Sequence, residues 1–162
     1  SKTQVAVVGL GFIGPAHIEA LRRLPDVEVV GIADFSAEIA QARAQTLGTG
    51  AYDSFDDLLR DETRHPNPYV ALLALDAVGR AGGPLARELG VRALSDEEPL
   101  VREGGILALR RAAPEIAREK LKAMRSDPDQ GIATLVEVTL KSLEEDPSKE
   151  PAMHSTLEKI LS

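Results

Sequence analysis

A chain of 162 residues has room for one domain or two small ones, and a hydrophobic share of 43% with only 3% aromatics and no Trp calls for an aliphatic core. The formal charge of −7 is spread evenly along the chain without a basic stripe, which argues against nucleic acid as a partner. Zero cysteines and three scattered histidines exclude disulfides, thiolate catalysis and Cys-ligated zinc, and leave no metal site. With no leader segment and no apolar run of membrane-spanning length, the expectation is a soluble cytoplasmic protein that does not enter a membrane.

The first predicted element is Val5 to Val8, four small or β-branched residues that read as a strand buried on both faces. Gly9, Gly11 and Gly14 follow in G-x-G-x-x-G spacing, with a helix beginning around Phe12. Gly9 permits a tight turn, Gly11 lets a pyrophosphate approach the backbone, and Gly14 lets the helix pack close to the strand. Free N–H groups at that helix N-terminus, together with the helix dipole, make an anion site. Pro25-Asp26 ends the helix and Val27 to Ala33 forms a second strand. Asp34 closes it, where a dinucleotide fold places the carboxylate for the ribose hydroxyls. Ser36 caps a helix that Gly48 stops, Ala51-Tyr52 is a short third strand, and Ser54 caps a brief helix from Phe55 to Leu59. This β-α-β-α-β-α order predicts a parallel sheet.

KTQVAVVGLGFIGPAHIEAL, VEVVGIAD and AYDSFDDLL together resemble the N-terminal half of the Gfo/Idh/MocA oxidoreductases, NAD(P)-dependent dehydrogenases of sugars, inositols and related polyols. The resemblance covers residues 3–60. It implies that Gly9, Gly11, Phe12, Ile13 and Gly14 line the pyrophosphate of NAD, and that Asp34 holds the adenosine ribose. It also implies what should come next: a fourth strand, a threonine-proline turn, a Glu-Lys-Pro motif with a catalytic lysine, and a substrate domain. No lysine beyond Lys2 lies in a Glu-Lys-Pro setting. The resemblance therefore carries the adenosine end of a dehydrogenase without its catalytic half. Val5 to Val8 would then lie at an open sheet edge that must be covered, by the first helical hairpin, Tyr69 to Leu94, as the expected case, or else by pairing with a second chain.

From His65-Pro66-Asn67-Pro68 the texture becomes helical. Val70, Val101 and Ile132 are spaced by 31 residues and open three leading helices, the first ended by Gly79. Pro84 to Leu94 and Pro114 to Met124 are partner helices, each with proline in its first turn. A third partner, Ala152 to Leu161, follows a polar loop from Glu144 to Pro151. The pattern resembles HEAT-type helical hairpins over residues 66–162. The expected fold class is thus α/β plus all-α: a partial Rossmann domain over residues 1–62 and a HEAT-like repeat domain of three hairpins over residues 66–162.

No residue is assigned to catalysis. His17 reads as a surface helix residue, the carboxylate clusters at Asp56-Asp57, Asp96-Glu97-Glu98 and Glu144-Glu145-Asp146 as solvated caps, and Arg102, Arg110 and Arg111 as exposed side chains pairing with Glu98 or Glu103. Two functions stand. One is a nucleotide-binding module that takes NAD weakly, mostly through its ADP half, and does no dehydrogenase chemistry alone. The other is a helical-repeat scaffold for a protein partner carrying a vestigial Rossmann half. A third reading concerns origin: a recombined or engineered fusion joined near residues 60–66.

Overall fold

The computed structural model describes residues 2–145. The chain divides into two compact units between Leu59 and Arg60. In the first unit, β1 (Thr3–Val8), α1 (Gly14–Arg22), β2 (Val27–Ala33), α2 (Ala37–Leu47) and β3 (Gly50–Tyr52) alternate. The strands form a parallel sheet in the order β1-β2-β3. β1 pairs with β2 from Thr3↔Val27 to Val8↔Ala33, with one register shift at Val5/Ala6. Ser36 caps α2 through its Oγ, which accepts from the Ile39 amide. Ser54 Oγ likewise accepts from the Asp57 amide at 3.1 Å, at the start of α3 (Phe55–Glu62). Leu10, Ile18, Val29, Ile32, Ala40 and Ala44 make the core, with Val5, Val7, Leu21 and Leu47 at its margin.

One expectation fails here. Val5 to Val8 is not buried on both faces: Val5, Ala6 and Val7 are half-buried and Val8 is half-exposed. Among the described residues β1 is an edge strand with a single neighbour, so β2 is the strand enclosed by the sheet, and its Ile32 and Ala33 are fully buried.

The second unit is helical: α4 (Pro68–Ala81), α5 (Gly83–Ala93), α6 (Pro99–Ala112), α7 (Pro114–Leu121) with a 3₁₀ turn at Lys122–Met124, and α8 (Gln130–Glu145). The leading helices start at residues 68, 99 and 130, the 31-residue spacing read from the sequence. The turns repeat as well. His65 Nδ1 accepts from the Asn67 amide at 3.0 Å, Asp96 Oδ1 from Glu98 at 3.0 Å, and Asp127 Oδ1 from Asp129 at 2.9 Å. These side chains stand at one repeat position and restrain the chain just before each leading helix. Leu94, Ile106, Leu109, Leu121, Val136 and Leu143 share a core that runs from the middle repeat into α8.

Gly79 does not end the first helix, which runs on to Ala81. A Cβ there would stand 2.7 Å from the Ala108 Cα, so the glycine is a contact point between α4 and α6 rather than a stop. The expected arginine surface is also corrected. Arg102 is only 7% exposed, and its Nε and Nη2 donate to Asp127 at 2.9 and 2.7 Å while Nη1 donates to the Asp96 and Glu97 carbonyls, both at 2.9 Å. Arg110 is buried and donates to Ser142 Oγ; Arg111 pairs with Asp76, which also takes Arg80. Neither Glu98 nor Glu103 is the partner seen for Arg102. The expected helix Ala152 to Leu161 lies outside the described residues.

Candidate functional site

The turn between β1 and α1 is built from backbone. Gly9 has φ of +88°, a conformation that side chains rarely adopt, and its amide donates to the Ala33 carbonyl at 2.9 Å. That bond ties the start of the turn to the end of β2. A Cβ on Gly14 would lie 2.5 Å from the Gly9 carbonyl oxygen, so the helix can approach the strand only through a glycine. Gly11 has neither constraint: its φ is not positive, and a Cβ there, as at Gly9, would meet nothing within 4 Å. No packing among the described residues requires glycine at that position.

The helix begins later than its sequence suggested, at Gly14 rather than Phe12, with Ile13 at the cap and no side-chain hydrogen bond there. Gly14 donates to the Gly11 carbonyl at 3.2 Å, Ala16 and His17 donate back to Ile13, and Pro15 has no N–H to offer. The amides of Gly11, Phe12 and Ile13 therefore have no protein acceptor among the described residues. Three free donors beside open space at a helix N-terminus suit a phosphate or pyrophosphate.

Asp34 stands at the end of β2 as expected, but 6% exposed. Its Oδ2 accepts from the Leu10 amide at 2.6 Å, and its Oδ1 lies 3.4 Å from the Ser36 amide. The carboxylate so braces the glycine turn from the second strand. Lone pairs remain for a ribose hydroxyl, since a carboxylate accepts up to about four hydrogen bonds. Leu10 was missed in the sequence, because a role carried by a backbone amide leaves no mark on the side chain. Phe12 and Phe35 are fully exposed, and Val8 and Ile13 are at least half-exposed. Two of the three phenylalanines of the chain thus stand next to turn or carboxylate. Their scarcity was the one available signal.

His17 is exposed on α1. Among the described residues no group of three His, Asp or Glu side chains could hold a metal ion, and no helix is long and apolar enough to cross a membrane.

Two family models match the chain. An oxidoreductase family with an NAD-binding Rossmann fold, Gfo/Idh/MocA, matches residues 3–101, and HEAT repeats match residues 56–150. The shared stretch, 56–101, is helical in α3, α4, α5 and the start of α6. Neither the curated proteins nor the solved structures compared contain a match.

Proposed function

Since the chain belongs to the Gfo/Idh/MocA oxidoreductase family with its NAD-binding Rossmann fold, and carries HEAT repeats as well, we propose that it is a nucleotide-binding module that takes a dinucleotide by its ADP half and performs no hydride transfer alone. The nucleotide domain is residues 1–62, with Gly9, Gly11, Phe12, Ile13 and Gly14 around the pyrophosphate and Asp34 at the adenosine ribose. The repeat domain is residues 66–162 and offers a surface for a protein partner, as stacked helical hairpins do. The observation that carries the reading is the trio of free amides at Gly11, Phe12 and Ile13 beside an unfilled space over Gly11. A nicotinamide needs further contacts and an acid/base to react, and this reading assigns no residue of the chain to either.

Calorimetry tests this. ADP and NAD bind with similar affinity, NADP binds more weakly against the Asp34 charge, and Gly11→Ala weakens all three while the melting temperature holds. NAD binding far tighter than ADP, or NADH production from a polyol panel, overturns the reading. Asp34 also favours a second reading. With Oδ2 already held by Leu10, the carboxylate serves the turn, and a vestigial site on a repeat scaffold then binds neither ADP nor NAD measurably.

A further inference from the structure

The glycine turn between β1 and α1 is held from two sides. The side chain of Leu10 is buried in the core with Ile18, Val29 and Ile32, and its amide donates to Asp34 Oδ2 at 2.6 Å. One residue earlier, the Gly9 amide donates to the Ala33 carbonyl at 2.9 Å. One residue later the ties stop, and the amides of Gly11, Phe12 and Ile13 have no acceptor among the described residues. Leu10 is thus the last fixed residue before the free donors. The glycines on either side of it leave this backbone more freedom than other residues would. An anion that needs several N–H groups converging on it gains most when their directions are set beforehand.

Asp34 stands where it can set them. It is buried at the end of β2, and its Oδ1 accepts from the Ser36 amide at 3.4 Å. The carboxylate is therefore held near its own strand while Oδ2 reaches across to the turn. A hydrogen bond to a charged acceptor is stronger than a neutral one, and its loss leaves the buried Leu10 amide without a partner. Coulomb repulsion works the other way, because a carboxylate so near the turn disfavours any anion bound there. The two effects have opposite signs, so removing the carboxylate reports which of them governs.

Resting on the nucleotide-binding reading above, we propose that Asp34 is a positioning residue for the phosphates as well as a contact for the ribose. It fixes the amides of residues 11–13 through Leu10, and this brace outweighs its charge. Inorganic pyrophosphate, which carries phosphate oxygens and no ribose, is the probe, titrated calorimetrically into the full chain. The wild type binds it. Asp34→Ala removes brace and charge together and weakens pyrophosphate binding more than about tenfold. Asp34→Asn keeps an acceptor for the Leu10 amide and drops the charge, and it restores pyrophosphate to at least the wild-type affinity. ADP, which loses its ribose contact in the same variant, does not follow. Pyrophosphate binding by Asp34→Ala that equals or exceeds the wild type overturns the inference, as does an asparagine variant as weak as the alanine one. So does a wild type that binds ADP but not pyrophosphate. In all three cases the nucleotide reading stands, whereas a wild type that binds neither ligand overturns both. Hydrogen exchange on the wild type serves even if Asp34→Ala fails to fold. The Leu10 amide is protected while those of Gly11, Phe12 and Ile13 exchange freely, and a Leu10 amide that exchanges as fast as theirs overturns the inference.

Discussion

In the β-α unit the large side chains wholly out of water are Ile18 and Ile32, whereas the helical unit buries Leu72, Leu75, Leu89, Ile106, Leu109, Leu121 and Leu143 to the same degree. The first unit spends its special backbone on an exposed turn, with Gly9 at positive φ and three amides without acceptors. In the second, Gly79 and Gly104 lie inside and let helices touch, while Gly82 and Gly83 take positive φ where α4 gives way to α5. A binding turn has to leave donors unpaired and a space unfilled, and both features work against packing. A stack of helices has only to exclude water. The difference predicts that substitutions in the first unit alter binding more than stability, and that those in the second do the reverse.

The largest expected effect lies in the helical unit. Arg102→Met leaves Asp127 buried without its partner and costs about 3–5 kcal/mol, seen as a lowered urea midpoint. Replacing Arg102 and Asp127 together with apolar residues recovers much of that loss; equal loss in the double variant would mean the pair serves packing rather than charge. Next is Gly14→Ala, whose methyl meets the Gly9 carbonyl. Overpacking of this kind costs about 1–3 kcal/mol, and nucleotide binding falls with it. Gly11→Ala is its control, losing binding at constant stability. If both variants melt alike, the division between a structural and a ligand-facing glycine is wrong.

Acid provides a smaller test. Burial pushes the Asp127 carboxyl up, but the hydrogen bonds from Arg102 and from the Asp129 amide outweigh it and hold the group below its ordinary value. A depressed folded value means that its stabilisation is complete above the unfolded pKa of about 3.9 and is lost as pH falls through the lower folded one. The helical signal of the wild type therefore declines below about pH 4, and Asp127→Asn flattens that decline. The smallest effect is expected at Glu88. Its carboxyl is lowered first by the hydrogen bond from Arg60, yet both side chains of the pair are substantially exposed. Glu88→Gln shifts the melting temperature less than any variant above, and added salt removes the shift. A large, salt-insensitive change would show that this ion pair is part of the core.

The amino-acid sequence by itself determined the element order, the glycine turn, Asp34 at the strand end and the 31-residue period. All of these are local: a strand running into glycines, an apolar stripe, a cap or proline at fixed offset. It also carried the absence of a Glu-Lys-Pro lysine, a matter of reading letters. The burial of Arg102 and Arg110 and the pairing of Arg111 were decided elsewhere, because their partners Asp127, Ser142 and Asp76 lie 25 to 35 residues away. Gly79 looked like a stop because glycine is a weak helix former, and only the approach of Ala108 explains why it sits mid-helix. Asp34 braces the turn through the Leu10 amide, a group that every residue but proline possesses. The exposure of Val8 followed from the strand order, which leaves β1 with one neighbour. Periodicity reports which side of an element is apolar; what stands against that side depends on elements distant in sequence, and there the tertiary structure had the deciding part.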